Sequence, residues 1–74
     1  MMKAVFGFIK LSDFDAICDR IEDDPELQNN VILHYTSHKT GIGFGSVDIE
    51  SSTKEHFKKT IDIFSEITKT EPSY

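Results

Sequence analysis

Apolar residues in KAVFGFIKL, residues 3–11, fall on both alternations, with Val5, Ile9 and Leu11 on one side and Phe6 and Phe8 on the other. The β-branched and aromatic content of this stretch predicts a strand. Phe14, Ile17, Cys18 and Ile21 then recur at i, i+3, i+4 and i+7, which predicts a helix with one apolar stripe, and Ser12 or Asp13 offers its N-cap. Asp15, Asp19, Glu22 and Asp23 share the opposite, outward side. Three successive carboxylates, Glu22 to Asp24, oppose the negative end of a helix dipole, so the helix is expected to stop near residue 23. Asp24 can cap a separate turn over residues 25–28, with Pro25 at its first position.

The period returns to two in VILHYT, residues 31–36, and in IGFGSVDIE, residues 42–50. The five polar residues between them, SHKTG, have a common hairpin length. SSTKE opens a second helix in which Ser52 and Glu55 have capping-box spacing. Its apolar side is Phe57, Ile61 and Phe64, widened by Ile63 and Ile67. The order is β-α-β-β-α in a single domain spanning residues 1–74, with residues 70–74 a flexible tail. This predicts a small α+β two-layer sandwich, a three-stranded antiparallel sheet with two helices on one face. It resembles a ferredoxin-like unit lacking the fourth strand. The first strand then pairs with the third, and its other edge lies bare, without the lysine or proline that guards many edges.

Gly41, Gly43 and Gly45 stand at alternate positions. A phosphate-binding glycine loop must run into a helix N-terminus. Here GIGFG runs into SVDIE, which alternates as a strand does, and neither dinucleotide nor P-loop spacing is present. The apolar parity changes from Ile42 and Phe44 to Val47 and Ile49, which predicts a bulge at Gly45 and Ser46 and a smooth glycine face open to close approach. TGIGFGSV also resembles the third-strand motif of RNA-recognition-motif domains, which stack bases on sheet aromatics. Gly41, Gly43 and Phe44 match that motif, whereas Thr40, Ile42, Gly45 and Val47 depart from it, removing its basic residue and one stacking aromatic. The similarity is one of strand chemistry and assigns no family.

Charge bears on the choice of partner. Thirteen acids against eight bases leave the chain at −5, and seven of those acids lie in the first 30 residues. Duplex nucleic acid calls for the reverse balance. A basic protein surface fits better, as does plain solubility. At 74 residues the domain buries only about 60% of its unfolded surface, so a partner would add stability. Cys18 is the single cysteine, which points to a reducing compartment. MMKAVFGFIK is too short for a leader core or a membrane span, so the expected location is the bacterial or infected-host cytoplasm.

Candidate chemistry is thin. His34 and His38 would meet at one metal ion on a helix, but four residues of strand span about 13 Å. His56 flanks the second helix's core. Cys18 sits in an apolar stripe on an acidic helix, the wrong setting for a nucleophile. The Asp15–Asp19–Asp23 ladder faces outward instead of into a cleft. No enzyme, cofactor or metal site is therefore expected.

The leading expectation is a non-catalytic protein-binding module. Its type is an inhibitor, immunity or adaptor protein, phage- or plasmid-encoded by analogy with other small acidic binders. It would act through the acidic face (Asp15, Asp19, Glu22, Asp23), the sheet edge and open face (Phe6, Phe8, Phe44), or both. The apolar first strand predicts a homodimer. One alternative is a single-stranded RNA or DNA binder using Phe6, Phe8, Phe44 and Tyr35; another is a small-ligand sensor using the glycine face at a dimer seam.

Overall fold

The computed structural model describes residues 1–38 and 42–73, so Lys39, Thr40, Gly41 and Tyr74 lie outside the described residues. The chain runs β1 (Met2–Lys10), α1 (Leu11–Glu22), α2 (Pro25–Asn30), β2 (Val31–Ser37), β3 (Phe44–Ser51) and α3 (Lys54–Thr68). Among the described residues the strands form an antiparallel sheet in the order β1-β3-β2, as expected for this α+β sandwich. Ala4, Phe6, Ile9, Val31, Val47 and Ile49 turn to the helix layer and meet Ile17, Ile21, Leu27, Ile61 and Phe64 in one core. Phe6 stacks on Phe64 at 4.9 Å between ring centroids. Truncating either ring should cost about 3–5 kcal/mol.

The register explains a parity that simple alternation misses. Phe6 pairs with Val47 and Ile9 with Gly45, so Gly7 and Phe8 together oppose Ser46. The β2–β3 ladder runs from Val31–Ser51 to Ser37–Gly45 without a break. The bulge expected at Gly45 and Ser46 therefore belongs to the facing strand, with Ser46 as its single partner. One extra residue in β1 lets Phe6 and Ile9 both enter the core and turns Phe8 outward. Phe6 is consequently 1% exposed, not a residue of the open face.

Helix starts also differ in detail. α1 begins at Leu11, directly after β1, and Lys10 at its N-cap makes no side-chain capping bond. The Leu11 N–H donates to the Gly43 carbonyl at 2.7 Å, so a distant turn does the work expected of Ser12 or Asp13. Asp24 caps α2 as expected, accepting from Glu26 N at 3.1 Å and Leu27 N at 3.4 Å, and the turn continues as a short helix to Asn30. α3 is capped by Thr53, whose hydroxyl accepts from His56 N at 3.3 Å, one residue beyond the Ser52 reading. Ser51 Oγ, buried, donates to Asn30 O at 3.0 Å and accepts from Thr53 N at 3.3 Å, tying α2 to the start of α3.

A candidate protein interface on the open face of the sheet

The bulge in β1 gathers three rings on the face the helices leave uncovered. Phe8 stacks on Phe44 of β3 at 4.5 Å between centroids and on His38, just past β2, at 5.7 Å. His38 is held from two directions. Its backbone N–H donates to Phe44 O at 3.0 Å, and its Nε2–H donates to Gly7 O at 2.9 Å. That second bond satisfies a carbonyl at the bulge and fixes the imidazole against the Phe8 ring. Phe8 nevertheless remains 64% exposed, a large apolar side chain held in position but unburied. Ile32 and Val5 are also exposed on this sheet, and Lys10 stands opposite Phe44 in register.

Other candidates fall elsewhere. Tyr35 packs on the covered side, stacked on Phe14 at 4.9 Å. Its ring lies over Gly45, where an added Cβ would come 2.5 Å from Tyr35 Cζ and from Thr36 O. The smooth position on β3 thus admits a neighbouring side chain, and no space for a ligand remains at Gly45. Gly43 sits in the turn with φ +81°, a left-handed conformation that favours glycine. The reading of Gly41 falls outside the described residues.

Asp15, Asp19, Glu22 and Asp23 are all exposed on α1. α1 belongs to the layer behind the sheet, so the structure does not bring this acidic face together with Phe8 and Phe44. None of the four forms an ion pair with another described residue; the nearest pairing on α1, Arg20 to Glu66 at 3.7 Å, is solvent-exposed and worth little. Cys18 is half-buried. Burial pushes its thiol above the ordinary value, and Asp15, Glu22 and Asp19 push it further, a direction that disfavours the thiolate. Among the described residues no three His, Cys, Asp or Glu side chains come close enough to hold a metal ion. His34 lies on the open face of β2, and His56 bonds to Thr53 and faces Glu26 at 3.6 Å. A cleft of about 330 Å³ between Met2 and α3 is lined by Lys54, Phe57, Lys58, Ile61 and Asp62, none of them singled out as a functional residue by the sequence.

The outer edge of β1 is not bare along its whole length. Val5 exchanges two backbone hydrogen bonds with Ser73, N to O and O to N, each 2.7 Å. No helix among the described residues is long and apolar enough to cross a membrane. His38 is the participant that sequence reasoning missed, because its place beside Phe8 depends on which strand carries the bulge, and the alternation alone does not say. Comparison with protein-family models, curated proteins and solved structures finds no match for this chain.

Proposed function

We propose that the chain is a non-catalytic protein-binding module that meets its partner with the open face of its sheet, centred on Phe8 and Phe44. The observation that carries this reading is the exposed Phe8 ring, stacked on Phe44 and braced by His38. Aromatic anchors that are fixed before contact lose little side-chain entropy on binding, and such anchors carry most of the energy of protein interfaces. The partner surface is apolar at its centre, with basic groups that answer the chain's −5 charge. An inhibitor or adaptor role fits a chain that holds a pair of aromatic rings in place on an exposed sheet face.

Affinity capture with matched baits tests this. The Phe8→Ser bait should lose the partner held by the unchanged protein, while Asp15→Asn/Asp19→Asn should retain it. A partner retained by Phe8→Ser at equal occupancy would remove the sheet face from consideration. Phe6→Lys is no test of the interface, because Phe6 is a core ring and its loss would unfold the chain.

The same rings support a second reading, single-stranded RNA or DNA stacking on Phe8 and Phe44 beside Lys10. With Phe6 in the core and Tyr35 on the covered side, two of the four aromatics first considered remain. Two platforms at roughly 1–3 kcal/mol per base, with few cations near them, predict weak binding. Submicromolar affinity for labelled oligonucleotides at low salt, lost on Phe44→Ala, would favour nucleic acid over protein.

A further inference from the structure

Val5 turns its N–H and C=O away from β3, and by strand alternation Lys3 does the same. That edge is the place a fourth strand would take beside β1. The chain itself reaches it. Lys69 closes α3 in the left-handed conformation (φ 57°), which bends the backbone back toward the sheet. Residues 70–72 follow without pairing, and Ser73 then makes its two bonds to Val5. Pro72 has no N–H to extend the ladder. The contact is therefore a strap fastened, among the described residues, by the backbone bonds of Ser73 to Val5 alone.

We propose that this strap is displaceable, and that the edge it covers is the docking edge for β1 of a second copy of the chain, antiparallel about Val5. The register argues for that occupant. Pairing Val5 with its own twofold copy sets Ala4 opposite Phe6 and Phe6 opposite Ala4, so both helix-covered faces fall on the same side. The two cores and helix layers then lie along one continuous sheet. Lys3 falls opposite Gly7, so no like charges face each other across the seam. In such a pair Val5 gives its N–H and C=O to the partner's Val5, and these are the groups Ser73 now holds. Strap and second copy are mutually exclusive. The device goes beyond the sheet-face reading and does not depend on it, since Phe8 and Phe44 lie on the face and these groups on the edge.

Sedimentation equilibrium over a concentration series tests it on the full-length chain. Ser73→Pro removes the donor to Val5 O and should tighten self-association by about fivefold, the scale of losing one competing backbone bond. Its far-ultraviolet circular dichroism should match the unchanged protein. A second variant holds the strap shut: Val5→Cys/Ser73→Cys in a Cys18→Ser background, where the Cα separation of a hydrogen-bonded antiparallel pair, about 5.5 Å, is within disulfide range. The oxidised form should remain monomeric where the reduced form dimerises. A Ser73→Pro protein that is folded yet monomeric at every concentration overturns the proposal. Equal association of the oxidised and reduced double-cysteine forms overturns it as well, because it places any dimer away from this edge.

Discussion

An alanine at Gly45 would set its Cβ 2.5 Å from Thr36 O, a backbone atom, and 2.5 Å from the Tyr35 ring that Phe14 holds in place. Neither neighbour yields cheaply, so Gly45→Ala should destabilise the chain by about 1–3 kcal/mol in urea unfolding. At Gly7 an added Cβ meets nothing within 4 Å, and Gly7→Ala should stay within about 0.5 kcal/mol of the unchanged protein. The pair of variants separates a glycine required by packing from one that is not. Asp24 offers a test by pH. The Lys59 hydrogen bond, 2.6 Å long, holds its carboxyl below the ordinary 3.8, helped by the N–H groups of Leu27 and Glu26. A lowered carboxylate pKa contributes stability that is present above 3.8 and lost as pH falls through the folded-state value. Lys59→Met keeps the Asp24 cap but removes its main partner. The melting temperature of that variant should accordingly fall less than the parent's between about pH 5 and pH 2.

Among the elements, the start of α3 is a sharp test of local reading against structure. Ser52 and Glu55 have capping-box spacing, yet the hydroxyl that receives an N–H is Thr53, with His56 as its partner. Thr53→Ala should cost about 1 kcal/mol, and Ser52→Ala, at an exposed position, close to nothing, when both are compared by chemical denaturation. The reason for the shift lies outside the helix. Ser51 is drawn into the core by its bonds to Asn30 and Thr53, and this carries β3 one residue further than alternation suggests. The same holds at α1, where the Gly43 carbonyl, some thirty positions along the chain, receives the first N–H in place of a neighbouring side chain. Element order, the antiparallel sheet and most of the core were readable, because amphipathic periods of two and 3.6 act locally. The bulge was readable only as a parity conflict. Phe6, Phe8 and Ile9 cannot all be placed by one alternation, and the strand that absorbs the extra residue is chosen by core packing on Phe64. For that reason the sequence places Phe8 and Phe44 on the open face together with Phe6, while the stacking of Phe8 on Phe44, its brace His38 and the burial of Phe6 depend on the register.

For the molecule as a whole, two surfaces of different chemistry lie on opposite layers: fixed aromatics on the sheet, and carboxylates on α1. Their energetic roles differ. Aromatic contact acts at short range and governs how long a complex lasts, whereas an exposed acidic face projects a field that governs how often encounters succeed. Asp15 with Asp19, and Asp19 with Asp23, are like-charged i, i+4 pairs that each cost the helix a few tenths of a kcal/mol. Replacing Asp15 and Asp19 by Asn relieves both pairs, and in a domain of this size the relief should raise the melting temperature by roughly 2–5 °C. The same double variant should slow association with a basic partner at low salt, with the difference shrinking as salt screens the field. If the sheet face is the contact, as proposed, dissociation should hardly change. Stopped-flow or surface-based kinetics at two ionic strengths separates these effects. A dissociation rate that rises with Asp15→Asn/Asp19→Asn would put the carboxylates inside the interface and move the binding surface from the sheet to α1. An association rate indifferent to both the variant and salt would leave the acidic face a solvated surface, and the exposed Phe8 ring would then account for recognition without electrostatic steering.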